Sequence, residues 1–196
     1  MSARLDAVAS TRERILRAAY ELWLDRPYDE VTVDAVAQSA GVSRQTVVRQ
    51  FGSKDELAVA VVDWQRPAEE ALRVAAPGDV RTAVRRLVGR YETMGDANVR
   101  VLELEGRVEA IDYLLTQARD SHRAWVEHTF LSSGPRLPRA AREEVVLALY
   151  AATDVTLWKL LRRDFERSPS EVEKIIRRLV DGVLLAASAT NEENTR

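Results

Sequence analysis

The sequence predicts an all-α protein, and three observations carry that prediction. Apolar residues recur at helical spacing along nearly the whole chain, with Val, Ile and Thr scattered singly and not alternating over strand lengths. Turn-forming groups (Arg26-Pro27, Gly41, Gly52-Ser53, Pro77-Gly78-Asp79, Gly95-Asp96, Ser133-Gly134-Pro135 and Ser168-Pro169) cut it into helix-length pieces. Several pieces open on a side chain suited to cap a helix.

Each element follows from its ends and its apolar stripe. A first helix spans about 10–24, capped by Ser10 or Thr11 and buried through Ile15, Ala19, Leu22 and Trp23. A second starts after Thr32 and runs to Ala40, where Gly41 is expected in the left-handed conformation that ends a helix without a Cβ clash. Ser43 caps a short third helix over about 44–50. Ser53 with Glu56 three residues on forms a capping box for a fourth helix, which Pro67 is expected to kink or end near Arg66. Further helices are predicted over 68–76, 79–94, 97–131 with a break around Gly106, 139–165 and 169–189. The last has Ser168 as its cap, Pro169 at its first position and Glu171 in its first turn.

The segment from Thr32 to Leu57, TVDAVAQSAGVSRQTVVRQFGSKDEL, holds the strongest functional signal. Two short helices joined by a tight glycine turn, the second rich in polar and basic groups, match a DNA-binding helix-turn-helix. Ala37 is small where the two helices must come close, and Val36, Ala40, Val42, Val47 and Phe51 are placed to set their angle. The other side of the third helix is left with Arg44, Gln45, Thr46 and Arg49, side chains able to reach base edges and phosphates. The helix N-termini add N–H groups suited to phosphate. A compact helical corner with no DNA role is the plainer reading, but it does not explain cap, turn glycine, apolar plugs and basic face in one run.

Residues 10–66 resemble the DNA-binding domain of the TetR family of bacterial repressors. The matching positions are Thr32-Val33, Val36-Ala37, Ala40-Gly41-Val42-Ser43, Thr46-Val47, Phe51, Ser53-Lys54 and Leu57. The resemblance implies that Thr32, Ser43, Thr46 and Lys54 touch backbone phosphates, and that Arg44, Gln45 and Arg49 read bases or phosphates. The chain departs from the family where an aromatic is usual, at Val48, and where a histidine is usual, at Gln50. Valine cannot donate a phenolic hydrogen bond to phosphate. The resemblance divides the chain into a DNA-binding domain at 1–66 and a helical ligand-binding and dimerisation bundle at 67–196.

In that second part, polar groups on otherwise apolar faces are candidates for contacting a small-molecule effector. Asp154 lies between Tyr150 and Trp158 at helical spacing, and His122 lies between Ala118 and Trp125, with Gln117 and Tyr113 on an adjacent face. A buried carboxylate needs a partner. For Asp154 that partner is either an arginine across a subunit interface or a donor or cation on the ligand. The last two helices are apolar over more than one narrow stripe, so they need burial on two sides or a single thick core. The resemblance implies a homodimer through a four-helix interface, with Leu149, Leu157, Ile176, Val180, Val183 and Leu184 as its candidates.

Composition narrows the function classes. The chain has 196 residues and a net charge of −2, so a basic surface has to be local. From Ala35 to Lys54 there is no acidic residue, while Arg44, Arg49 and Lys54 are basic. No cysteine is present, which removes disulfides and thiolate metal sites, and His122 and His128 have no metal-site company. No catalytic motif, metal or cofactor is expected. With no apolar run of membrane-spanning length and no secretory signal, a cytoplasmic location away from membranes is expected. The expected partners are a double-stranded DNA operator, a small-molecule effector and a second copy of the chain. The rival is a helical protein-interaction module with a degenerate helix-turn-helix.

Overall fold

The computed structural model describes residues 2–133 and 137–194, with side chains described for 9–133 and 137–189. Nine α-helices follow one another among these residues, and no strand occurs in them. They are α1 (Ser2–Asp25), α2 (Val33–Ala40), α3 (Arg44–Phe51), α4 (Lys54–Arg73), α5 (Val80–Leu102), α6 (Glu109–Val126), α7 (Arg139–Thr153), α8 (Val155–Lys159) and α9 (Pro169–Asn194). π-Helical turns follow α6 over Glu127–Leu131 and α8 over Leu160–Asp164.

The chain forms two compact units. The first holds residues 1–69 and 100–115. Its core gathers Ile15, Leu16 and Ala19 of α1, Val36, Ala37 and Ala40 of α2, Val47 and Phe51 of α3, and Leu57 and Val61 of α4. Tyr28 and Ala58 pack with Ile111 and Leu115 in a neighbouring cluster of the same unit. The second unit holds residues 70–99 and 116–196, with α7 packed along α9 and against α8. Its buried residues include Leu87, Tyr91, Val126, Leu149, Trp158, Ile176 and Val180.

Four expected boundaries change, each for a physical reason. Pro67 lies inside α4, which continues to Arg73. Proline removes one backbone donor, and the good helix formers Ala68 to Arg73 carry the helix past it. Gly95 does not break α5, because it sits beneath the Trp158 ring as a packing residue. The expected break at Gly106 occurs, with φ +75°, but residues 97–102 before it belong to α5. The expected 139–165 helix stops at Thr153, because Asp154 is extended (φ −72°, ψ 151°) and caps α8. The predicted turn at Ser133-Gly134-Pro135 falls largely outside the described residues. The Ser168 cap holds, with Ser168 N–H donating to Glu171 Oε2 at 2.8 Å.

Candidate nucleic-acid interface

Local hydrogen bonds hold α2 and α3 at both sides of their turn. Thr32 Oγ1 accepts from Ala35 N–H at 3.1 Å, capping α2. Gly41 closes it in the left-handed region (φ 65°, ψ 40°), and Val42 N–H donates back to the Ala37 carbonyl at 3.0 Å. Ser43 Oγ accepts from Thr46 N–H at 3.2 Å, capping α3, and lies 2.9 Å from Thr46 Oγ1. Ser53 and Glu56 form the reciprocal capping box at the start of α4, at 3.1 and 2.8 Å.

Burial orients α3. Val47 and Phe51 point into the core, so Arg44, Gln45, Val48 and Arg49, at spacings i, i+1, i+4 and i+5, are exposed together on the opposite face. Val48 is 42% exposed in the middle of this polar face. Thr32 and Ser43 are exposed at the caps, and Thr46 is half-buried. The seven residues expected at DNA thus lie on α3 or at the starts of α2, α3 and α4. Lys54 has a local role as well: its Nζ donates to the Tyr28 carbonyl at 3.0 Å and lies 4.2 Å from the centre of the Tyr28 ring. The Tyr28 hydroxyl donates to the Asp55 carboxylate, and burial followed by that carboxylate pushes its pKa upward. An ammonium has three donors, so this anchoring leaves two for another acceptor.

Two residues join this surface that sequence reasoning did not single out. Arg12 of α1 stacks 4.3 Å from the Phe51 ring centre and donates to the Gln50 carbonyl at 3.4 Å, which puts a cation at the end of α3. Asp34 of α2 pairs with Arg44, Nη1 to Oδ2 at 2.6 Å. Both contacts bridge separate helices, and no local pattern announces them.

The sequence model for bacterial regulatory proteins of the tetR family matches residues 15–61. The HTH-type transcriptional regulator TcmR of Streptomyces glaucescens is 32% identical over 102 residues, covering 49% of this chain and 42% of TcmR. AlkX of Mycobacterium tuberculosis, also an HTH-type transcriptional regulator, is 42% identical over 50 residues, covering 26% of this chain and 24% of AlkX. A tetR-family transcriptional regulator from Streptomyces coelicolor, at 22% identity, superposes with a TM-score of 0.71 over 93% of this chain and 84% of its own. Over residues 15–61 the chain is similar to TetR-family regulators, and over nearly its whole length it shares the fold of one. The matched stretches span less than half of either sequence relative. All three are named as transcriptional regulators.

In the second unit, three of the expected effector residues come together. His122 is buried, stacks on Trp125 with ring centres 5.3 Å apart, and meets the edge of Tyr150 at 4.8 Å. His122 Nε2 lies 3.0 Å from Thr153 Oγ1. That hydroxyl also lies 2.7 Å from the Leu149 carbonyl, to which it can donate its one hydrogen while accepting from Nε2–H. Burial first, then the charge of Arg73, lowers the His122 pKa to about 4, while Asp154 opposes them. The Tyr91 hydroxyl donates to the Thr153 carbonyl at 3.0 Å, satisfying an acceptor that the end of α7 would otherwise strand. Trp125 Nε1 donates to the Arg73 carbonyl at 3.2 Å, which fixes the end of α4 against α6.

The other expected effector residues are placed differently. Asp154 does not lie unpaired in an unbroken helix; its Oδ1 accepts from Thr156 N–H at 2.8 Å. Tyr113 is 54% exposed and belongs to the first unit, so it is not an interior group of the bundle. Gln117 is half-buried on α6. Trp158 is fully enclosed against Tyr91, and its Nε1 donates to Glu92 Oε1 at 2.9 Å. Arg162 closes on the same carboxylate with 2.8 and 2.9 Å bonds. Burial alone would raise the Glu92 pKa, but the Arg162 and Trp158 donors hold it below the usual range.

The expected interface residues divide into two groups. Leu149, Ile176 and Val180 have no exposed surface within the single chain, so they are core residues with nothing to offer a second copy. Leu157, Val183 and Leu184 are partly exposed. Exposed apolar side chains of α7 and α9 lie beside the buried stripe: Leu147 is 54% and Leu179 43% exposed. On α9, Ile175, Leu179, Gly182 and Ala186 follow a 4-3-4 spacing, and on α7 so do Ala140, Glu144, Leu147 and Ala151. Among the described residues no helix is long and apolar enough to cross a membrane.

Proposed function

We propose that this chain is a member of the TetR family and a cytoplasmic, ligand-responsive transcriptional repressor. As a homodimer it binds a palindromic operator and is released when a small molecule enters the C-terminal bundle. The observation that carries the reading is the exposed Arg44, Gln45, Val48 and Arg49 face, backed by Val47 and Phe51 in a closed core. In the division of labour proposed, residues 1–66 read DNA and 67–196 dimerise and bind the effector. Arg49 is exposed and its side chain makes neither cap of α3, so Arg49→Ala should remove a DNA contact without touching the fold. In electrophoretic shifts with the intergenic DNA upstream of its own gene, Arg49→Ala should weaken binding by roughly 5- to 150-fold, or 1–3 kcal/mol. It should also flatten the dependence on salt. Binding as tight as wild type at moderate salt would remove α3 from the interface.

Dimerisation through α7 and α9 is supported by the exposed residues of their 4-3-4 stripes, Leu147 and Leu179 foremost. Gly182 supports it further: a Cβ there meets nothing within 4 Å in its own chain, yet glycine costs a helix interior about 1 kcal/mol relative to alanine. A partner helix crossing closely at that point gives the glycine a purpose. The double variant Leu147→Glu, Leu179→Glu alters only exposed side chains, so it should keep the helical circular dichroism of wild type. Light scattering should then find a monomer, and operator affinity should fall with it. A dimer of unchanged stability would place the interface elsewhere. For the effector, the cluster of His122, Trp125 and Tyr150 is the proposed polar and aromatic wall. Coupling of about 1–3 kcal/mol between that site and DNA is the expected scale.

A further inference from the structure

The pair between Asp34 and Arg44 is out of place as a stabilising feature. It joins the second residue of α2 to the first residue of α3 across the turn, at 2.6 Å, with side chains 62% and 63% exposed. Exposed ion pairs add little to a fold, and the angle between these helices is already held by Val36, Ala37, Ala40, Val47 and Phe51. The carboxylate also lies against Arg44, next to side chains proposed to face DNA. A negative charge there opposes the phosphates that supply general affinity. A plainer role for Asp34 is to favour the α2 dipole from its first turn, but α2 is already capped by Thr32.

The geometry points to Asp34 as a positioning residue that fixes which base Arg44 reads. This inference rests on the DNA-reading function proposed above and assigns a specificity role within it. A guanidinium has five N–H donors arranged in a plane. Asp34 binds through Nη1, which leaves the edge formed by Nε and Nη2 for another planar pair of acceptors. Guanine O6 and N7 form such a pair in the major groove. Tethered at one corner, the Arg44 side chain gives up its swing along the groove and the alternative of folding back onto a phosphate. Asp34 therefore trades general attraction to DNA for selection at one base pair in each half-site. Without the tether, Arg44 still attracts DNA but reads it loosely.

Selection from a pool of random-sequence DNA duplexes, with sequencing of the bound fraction, tests this on the full-length protein. Wild type, Asp34→Ala, Asp34→Asn, Arg44→Ala and the Asp34→Ala, Arg44→Ala double variant are compared at one salt concentration. Wild type is expected to enrich a two-fold motif with a guanine at one position per half-site. Asp34→Ala should lose roughly tenfold of the preference at that position and keep the rest of the motif, while binding the unselected pool as well as wild type or better. Arg44→Ala should lose preference at the same position, and the double variant should lose no more than Arg44→Ala alone. Asp34→Asn keeps the shape and removes the charge, so its loss should lie between wild type and Asp34→Ala. A motif unchanged in Asp34→Ala, or altered at a position that Arg44→Ala leaves alone, overturns the assignment while leaving DNA reading intact. Failure of wild type to enrich any motif overturns the reading function, and this assignment with it.

Discussion

Gly95→Ala is expected to destabilise the protein by about 1–3 kcal/mol, although alanine is the better helix former. A Cβ at that position would lie 2.7 Å from Trp158 Cε3 and closer still to Cζ3 and Cη2. The ring cannot retreat. It is fully enclosed, its Nε1 is held by Glu92, and Arg163 covers it at 4.8 Å while pairing with Asp96 through two 2.8 Å bonds. The added methyl must therefore push α5 away from Trp158 or force the indole off its rotamer. Gly89 on the same helix is the control, since a Cβ there meets nothing within 4 Å. Gly89→Ala should stabilise by up to about 1 kcal/mol. Urea midpoints moving in opposite directions for the two variants would bear this out. A Gly95→Ala protein as stable as wild type would show that the indole does not sit where it is placed here.

Acid should unfold the second unit through His122 before its carboxylates contribute. The folded-state pKa is lowered from 6.5 to about 4, so the native state keeps the ring neutral while the unfolded chain accepts a proton. Above pH 6.5 neither state binds the proton and the group is silent. As the pH falls from 6.5 towards 4 the unfolded state binds it first, and stability drops by up to about 3 kcal/mol. Carboxylates such as Glu92, held below their ordinary 4.5, withdraw their stabilisation only at lower pH. Urea unfolding of wild type and His122→Gln between pH 7.5 and 4.5 separates the two effects. The variant should start less stable and lose far less across that range. Parallel curves for the two proteins would mean that the histidine takes up its proton in the fold as readily as in the unfolded chain.

What could be read from the sequence was local. Thr32, Ser43, Gly41 and the Ser53 and Glu56 box act within four residues of their own backbone, so spacing alone reveals them. The inward turn of Val47 and Phe51 follows from helical period, and with it the exposure of Arg44, Gln45 and Arg49. What was misread depended on partners distant in sequence. Gly95 looks like a helix breaker until Trp158, far along the chain, occupies the space where its side chain would be. Asp154 falls at the spacing of a buried helix position, but its carboxylate caps the next helix, and the break it creates is stabilised from α5 by Tyr91. Leu149, Ile176 and Val180 share the apolar pattern of an interface, and periodicity cannot say which of two adjacent stripes a chain keeps for its own core. Asp34 and Arg12 were missed because each works across a helix boundary.

Pro67 leaves α4 with one rung absent from its ladder, since the Asp63 carbonyl has no amide hydrogen to receive at the usual distance of four residues. A helical rod is stiff because every such tie resists bending, and where one is missing the rod yields first. A bending load on α4 should therefore be taken up at Pro67 before it frays either end of the helix.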